Sequence, residues 1–206
     1  MDDAAAIELA ERLAERLCHD FAGAGQGLIS GMDLLAAAGG AAEREEAIAF
    51  LEQALAAQQA KIASARRAFG RPAAMEIAEL RTLIESLFDN RRARLVWDVE
   101  ASRLEPASAR ILLVLAEIAA DAAALGGEVR LSCADQRLAV EMVGPKVLLK
   151  PEVRAGLGGQ PLPQGIAGRW IHGALLSLWV RAGGGTIAVE DAAGSASIRL
   201  TLRASG

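Results

Sequence analysis

Residues 16–35, RLCHDFAGAGQGLISGMDLL, combine a helical apolar pattern with a histidine and a run of small residues. Apolar side chains recur at intervals of three, four or seven, the spacing of one helical face. They are Ala10, Leu13, Leu17, Phe21, Ala24, Leu28 and Leu35. At about 100° per residue, His19 lies about 200° away from Leu17. The stretch therefore predicts an amphipathic helix with His19 on its solvent face.

The outward face of this helix carries small side chains just beyond the histidine. Glycines at 23, 25 and 27 each cost the helix about 0.5–1 kcal/mol relative to alanine. That cost is reasonable if another protein must approach closely. We therefore predict a docking surface around His19, with charged residues on the preceding turns and small or polar residues beside it: Arg12, Glu15, Arg16, Ala22, Gly23 and Gln26.

A second helix follows the first after a short break. Gly39 and Gly40 end the first helix, and the next apolar stripe is formed by Ile48, Leu51, Leu55, Ile62 and Phe69. A short loop makes two helices antiparallel neighbours. Because two amphipathic helices cannot enclose their own apolar stripes, we expect the hairpin to pair with a second copy as a four-helix bundle. The sequence therefore predicts a homodimer.

The pattern changes after Gly70, Arg71 and Pro72, which read as a linker between a domain at 1–70 and a domain at 71–206. The second domain shows helical segments at 76–88, 106–125 and 166–183. Five strands are predicted at 93–100, 128–133, 137–143, 185–191 and 195–203, with a turn at residues 134–136. The expected fold class is α+β: a helical hairpin followed by an α/β sandwich with mostly antiparallel strands and helices on one face.

Composition excludes several classes of function. A net charge of -4 and a pI near 5.3 argue against a surface that neutralises nucleic-acid phosphates. Cys18 and Cys133 lack the spacing of a metal site or a disulfide framework. The N-terminus is acidic and the apolar run near residue 118 contains Glu117 and Asp121, so neither a signal peptide nor a membrane span is predicted. The expected location is the cytoplasm.

His19 is the candidate for chemistry because a neutral imidazole nitrogen is a nucleophile near neutral pH. Asp20 could orient or deprotonate the ring, and an ordinary solvated carboxylate is an equally good interpretation. His172 lies in an apolar helix and is interpreted as a packed structural histidine. Trp97, Trp170 and Trp179 are interpreted as core or interface residues.

The stretch LCHDF, the small residues after it, the SGMDLL continuation and the Gly-Gly break resemble the phosphoacceptor helix of ChpT-type histidine phosphotransferases of alphaproteobacteria. The resemblance implies that His19 accepts a phosphoryl group from a receiver-domain aspartate and passes it to another. It implies no cofactor in this chain, Mg²⁺ being supplied by the receiver. The implied partners are the receiver of a CckA-like hybrid sensor kinase and CtrA-like or CpdR-like response regulators.

The same resemblance implies that residues 71–206 are a degenerate form of the histidine kinase ATP-binding domain. Asp121 stands where such a kinase has a magnesium-holding asparagine, and only Gly144 remains of its adenine-reading loop. Arg169 and Trp170 occupy positions that the kinases keep small. We therefore expect a phosphoryl carrier and not an ATP-dependent kinase.

Two other functions remain open from the sequence. One is a pseudokinase scaffold or phosphatase-type regulator that docks receivers without carrying phosphate. The other is a divergent ATP-using kinase, since an aspartate can also bind Mg²⁺.

Overall fold

The computed structural model describes residues 3–71, 73–89, 91–134, 137–161 and 170–202. The chain forms two compact units, Met1–Arg66 and Arg67–Gly206. The division falls within a helix, four residues before the boundary predicted at 70/71. Pro72 of the predicted linker lies outside the described residues.

The first unit is a helical hairpin. Helix α1 spans Asp3–Ala37 and helix α2 spans Ala41–Phe69, with three residues between them. The Gly39 amide, in the loop just before α2, donates to Glu43 Oε2 at 2.6 Å and so joins the loop to the first turn of α2. The two helices approach closely through glycines, because a Cβ at Gly31 would lie 2.6 Å from Leu51 Cδ2 and one at Gly27 would lie 3.3 Å from Ala54 Cβ.

The apolar stripes of the hairpin are only partly covered. Leu13, Leu17 and Leu28 are half-buried, and Ala47 is buried. Other large apolar side chains of this unit remain 40–59% exposed: Ile7, Ile29, Met32, Leu34, Ile48, Phe50, Leu55 and Ile62. So many exposed large apolar side chains in one helical hairpin are unusual for a monomeric protein.

The glycines of α1 should respond in opposite ways to the same substitution. Gly23→Ala adds a methyl group with no atom within 4 Å, so the gain in helix propensity should stabilise the hairpin by about 0.5–1 kcal/mol. Gly31→Ala should destabilise it, because the new methyl group overlaps Leu51. Thermal melts of both variants test this, and a higher Tm for Gly31→Ala would contradict the described helix packing.

The second unit contains two sheets and four helices within the described residues. Its elements are β1 (Met75–Glu76), α3 (Ile77–Phe88), β2 (Ala93–Val99), β3 (Arg103–Leu104), α4 (Pro106–Ala122), β4 (Gly127–Ala134), β5 (Arg137–Val143), α5 (Pro151–Leu157), α6 (Ile171–Ala182), β6 (Thr186–Ala192) and β7 (Ser195–Thr201). The main sheet has the order β2-β4-β5-β7-β6. Only β2 and β4 are parallel in this sheet.

The helices cover one face of this sheet. Alternate residues such as Val129, Leu131 and Val140 are fully buried beneath them, which is the period-two pattern of a strand with one covered face. The opposite face carries ion pairs, including Arg130 with Glu128 at 3.1 Å and Arg199 with Glu190 at 2.9 Å. The predicted fold, a helical hairpin followed by an α/β sandwich, is confirmed.

Some local predictions differ from the structure. Residues 151–157 form α5, which is not among the helical segments predicted from the sequence; Pro151 occupies the first turn, where proline is tolerated. β1 and β3 pair as a small antiparallel sheet that the sequence did not predict. Described helix α6 begins at Ile171, and residues 162–169, including Arg169, lie outside the described residues. So do Asp135 and Gln136 of the predicted turn.

Candidate functional site

His19 lies near the middle of α1 and is the most exposed side chain of its local group. Its side chain is 73% exposed. The ring is therefore accessible to a partner molecule without any movement of the helix.

Asp20 lies between His19 and a buried arginine. Asp20 Oδ1 is 3.6 Å from His19 Nδ1, slightly longer than a hydrogen bond. Its other oxygen, Oδ2, accepts a hydrogen bond from Arg16 Nε at 2.8 Å. The exposed fraction of the side chain falls from 73% at His19 to 20% at Asp20 and 10% at Arg16.

The other predicted docking residues divide into exposed and partly covered positions. Glu15, Ala22, Gly23 and Gln26 are exposed. Arg12 is partly covered, its side chain 18% exposed, and it pairs with Glu8 at 3.0 Å.

Arg16 differs from the expectation of an exposed rim charge, because the whole residue is 8% exposed. At about 100° per residue, Arg16 points only about 20° away from Gly27, which packs against Ala54 of α2. Arg16 therefore lies on the side of α1 that faces α2. The apolar periodicity did not reveal this, although the four-residue spacing to Asp20 is a signal for pairing.

The three glycines after His19 do not share one explanation. A side chain at Gly23 or Gly25 would meet no atom within 4 Å, whereas Gly27 has a close neighbour in Ala54. Packing within the chain therefore explains Gly27. It does not explain Gly23 or Gly25.

In the second unit, the carboxylate of Asp121 in α4 forms an ion pair with an arginine. Arg91 Nη1 lies 3.1 Å from Asp121 Oδ1 and donates a second hydrogen bond to the Ala120 carbonyl at 2.7 Å. Arg91 was not predictable as a partner of Asp121, because the two residues are 30 positions apart and no local pattern connects them. A cation already neutralises the carboxylate expected to replace the magnesium-holding asparagine.

The space beside Asp121 is small. A cavity of about 20 Å³ is lined by Ile118, Asp121, Ala122, Leu148, Leu149, Lys150, Val153 and His172. A volume of roughly 10–15 Å³ on this measure is needed for one water molecule. The cavity that these described residues enclose therefore has room for about one water molecule.

His172 is a packed histidine, as predicted. It is 6% exposed, and its Nε2 lies 3.5 Å from Glu117 Oε2. Its ring stacks on Phe69 with centroids 5.6 Å apart. These contacts restrict access to His172 as a second phosphoacceptor.

Gly144 has a structural reason to be glycine. A Cβ there would lie 2.6 Å from the Gly126 carbonyl oxygen and 2.9 Å from Gly127 Cα. The close approach of two backbone segments requires glycine at this position whether or not a nucleotide binds.

The tryptophans agree with a packing role. Trp170 is fully buried, and Trp97 and Trp179 pack against the core. The Arg110 guanidinium lies 4.0 Å above the Trp179 ring, and burial lowers the pKa of Arg110. Burial likewise raises the pKa of the Cys133 thiol, so this cysteine is less reactive than an exposed one.

The described residues contain neither a metal-binding cluster nor a membrane-spanning helix. No group of three or more His, Cys, Asp or Glu side chains in the described ranges is arranged to hold a metal ion. Each described helix is too short or too polar to cross a lipid bilayer.

Most of the second unit matches a known protein family. A family model described as "Histidine phosphotransferase C-terminal domain" matches residues 77–195. This segment is more than half of the chain, and it does not include the hairpin that carries His19. No curated protein sequence gives a significant match.

A solved structure of a bacterial phosphotransferase has the same fold, and histidine kinases are also among the matches. A bacterial phosphotransferase is similar with a TM-score of 0.80 and 22% identity, covering 95% of this chain and 96% of its own. The histidine kinase AdeS of Acinetobacter baumannii has a TM-score of 0.46 and 13% identity, with 92% and 96% coverage. Full-length ShkA in complex with AMPPNP has a TM-score of 0.45 and 20% identity, covering 95% of this chain and 47% of its own.

Proposed function

The chain belongs to the histidine phosphotransferase family, and we propose that it carries phosphoryl groups between receiver-domain aspartates through His19 without using ATP. The observation that carries this proposal is the exposed imidazole of His19 with a carboxylate 3.6 Å from its Nδ1. Residues 1–70 are the dimerisation and phosphotransfer hairpin, and residues 71–206 are an ATPase-like domain that has lost its nucleotide site.

In the proposed reaction, the Nε2 lone pair of His19 attacks the phosphorus of a receiver's aspartyl phosphate. The N–P bond forms while the P–O bond breaks, and the electron pair leaves with the receiver's carboxylate. The ring keeps its Nδ1 proton and takes on positive charge, which Asp20 faces. Mg²⁺ held by the receiver neutralises the phosphoryl oxygens. Transfer to a second receiver is the reverse of these steps.

Receiver docking is assigned to the exposed face around His19, formed by Glu15, Ala22, Gly23 and Gln26, with Arg12 at its edge. Gly23 lies about 40° from His19 around the helix. Since a side chain at Gly23 would contact nothing in the chain itself, its absence supports a need for clearance by a partner.

A bulky residue at Gly23 should therefore obstruct transfer without harming the fold. We expect Gly23→Leu to slow transfer from a phosphorylated receiver at least tenfold, a barrier increase of about 1.4 kcal/mol. Gly23→Ala is the matched control and should transfer at nearly the wild-type rate. Initial transfer rates measure the effect, and a folded Gly23→Leu protein with an unchanged rate would remove Gly23 from the docking surface.

One contact supports the absence of ATP use. Arg91 pairs with the carboxylate of Asp121, the residue that stands in place of the magnesium-holding asparagine of the kinases. Placing Mg²⁺ at Asp121 would bring it beside a guanidinium, which is electrostatically unfavourable.

Millimolar Mg²⁺-ATP should accordingly leave the Tm unchanged, because a ligand that binds the native state must stabilise it by mass action. It should also leave the chain unlabelled when the γ-phosphate is radioactive. Mg²⁺ alone and a known ATP-binding protein are the two controls. A rise in Tm with Mg²⁺-ATP and none with Mg²⁺ alone would favour a divergent kinase.

The homodimer is proposed because the hairpin exposes a regular apolar stripe. Ile48, Leu55 and Ile62 follow a seven-residue spacing and are 40–48% exposed. A second copy with the same stripe would cover it in a four-helix bundle. Each dimer would then present two copies of His19.

The proposed function is tested by mixing the chain with a phosphorylated receiver. We expect a phosphate on His19 that is labile in acid and stable in base, as a phosphoramidate is, and subsequent transfer to a second receiver. A chain that binds receivers but never carries phosphate would favour the scaffold or phosphatase-type regulator.

A further inference from the structure

Arg16 is an unusual residue for the interior of a two-helix hairpin. It is 8% exposed, and its Nε donates to Asp20 Oδ2 at 2.8 Å. Removing a guanidinium from water is costly even when it is paired, so a buried ion pair is weak evidence for stability. An apolar residue at position 16 would cover the neighbouring helix at a lower cost.

The order of the pair also argues against a purely helix-stabilising role. In α1 the cation precedes the carboxylate by four residues, which is the less favourable arrangement for an i,i+4 pair. The pair is therefore not explained by helix stability alone.

The geometry instead connects Arg16 to the reactive histidine. The two oxygens of Asp20 have separate neighbours: Oδ2 is held by Arg16 at 2.8 Å, and Oδ1 lies 3.6 Å from His19 Nδ1. Because Arg16 holds Oδ2, the carboxylate group of Asp20 cannot rotate freely. Its other oxygen, Oδ1, is therefore kept on the side of His19. A small side-chain adjustment on docking would shorten the 3.6 Å separation, as active-site hydrogen bonds often do.

We propose that Arg16 is a positioning residue, which holds Asp20 so that Oδ1 faces His19 Nδ1 and keeps the proton there. Nε2 is then the unprotonated nitrogen of the exposed ring. The inference rests on the proposed function of His19. In the transfer step, the N–P bond forms at Nε2, the P–O bond to the receiver breaks with its electron pair leaving on the receiver carboxylate, and Nδ1 retains its proton.

The first test measures the tautomer of His19 without any receiver. Nitrogen-15 NMR of the imidazole distinguishes Nδ1–H from Nε2–H, and His172, the only other histidine, is an internal control. We expect Arg16→Gln to lower the Nδ1–H share at His19 and to leave His172 unchanged. Should Arg16→Gln fail to fold, Arg16→Met fills a similar volume without a charge and serves the same purpose. An unchanged His19 spectrum in a folded variant would overturn the inference.

The second test measures transfer rates in a double-mutant cycle. Arg16→Gln and Asp20→Asn should each slow transfer about tenfold, which is about 1.4 kcal/mol. Because Arg16 acts through Asp20, the double variant should be no slower than Asp20→Asn alone. If the double variant is slowed by the product of the two single effects, Arg16 acts independently of Asp20, and the inference is overturned. Arg16→Lys should restore part of the rate, since lysine provides charge without the fixed guanidinium plane.

Arg81→Gln is the matched control. Arg81 also pairs with a carboxylate four residues later, Glu85, through Nε at 2.7 Å, but its side chain is 54% exposed and the pair lies in α3. Its loss should leave the transfer rate unchanged. If the wild-type chain accepts no phosphate, the proposed function fails while the NMR result still decides the Arg16 contact; if it accepts phosphate normally and Arg16→Gln does too, only the Arg16 inference fails.

Discussion

His19→Ala should reduce receiver-derived phosphate on the chain to background. The substitution removes the proposed nucleophile, and Asp20 has no comparable nitrogen to accept a stable phosphoryl group. The helix should persist, because His19 is 73% exposed and alanine has the highest helix propensity. The measurement is the amount of acid-labile phosphate on the chain after it has been mixed with a phosphorylated receiver.

The matched control for this experiment is His172→Phe. It removes the second imidazole while keeping a ring that can stack on Phe69, which lies 5.6 Å from His172. We expect nearly normal labelling of this variant. Undiminished labelling of His19→Ala would instead place the phosphoacceptor elsewhere, and the assignment of His19 would be wrong.

Leu55→Glu combined with Ile62→Glu should dissociate the proposed dimer. These side chains are 48% and 40% exposed in the single chain, and burying a leucine or isoleucine contributes about 1.5–3 kcal/mol. A two-fold interface contains each position twice, so both the lost burial and the added charge repulsion count twice. Analytical ultracentrifugation over a concentration series should show a dimer for the wild type and a monomer or unfolded chain for the variant.

Ala56→Glu is the control for the added charge. Ala56 is exposed and points about 100° away from Leu55 around α2, off the apolar stripe. This variant should remain dimeric. A wild-type chain that sediments as a compact monomer at micromolar concentration would contradict the four-helix bundle.

The regular parts of the fold were predictable because they have local periodicity. β5 occupies residues 137–143 as predicted, and α4 begins at Pro106, which suits the first turn of a helix. The small sheet was not predictable, because strands of two residues such as β1 and β3 have no period. The parallel pairing of β2 with β4 is likewise set by contacts distant in sequence.

In the candidate site, too, some features follow from local sequence patterns and others depend on contacts distant in sequence. The solvent-facing direction of His19 follows from helical geometry, since a single apolar stripe fixes which side of α1 is outside. The burial of Arg16 depends on the position of α2. The apolar stripe of α1 alone does not show how much of the α1 surface is covered by α2. The Arg91–Asp121 contact joins residues 30 positions apart and has no local signature.

Because Arg91 contacts Asp121, no single substitution would give α4 a kinase-like asparagine that is free of a neighbouring guanidinium. Asp121→Asn would introduce the neutral amide, but the guanidinium of Arg91 would remain, held by the Ala120 carbonyl at 2.7 Å. Replacing Arg91 alone would leave an unpaired carboxylate at this position and not the neutral amide. A neutral amide at position 121 without a neighbouring guanidinium therefore requires at least two coupled changes, one at Asp121 and one at Arg91.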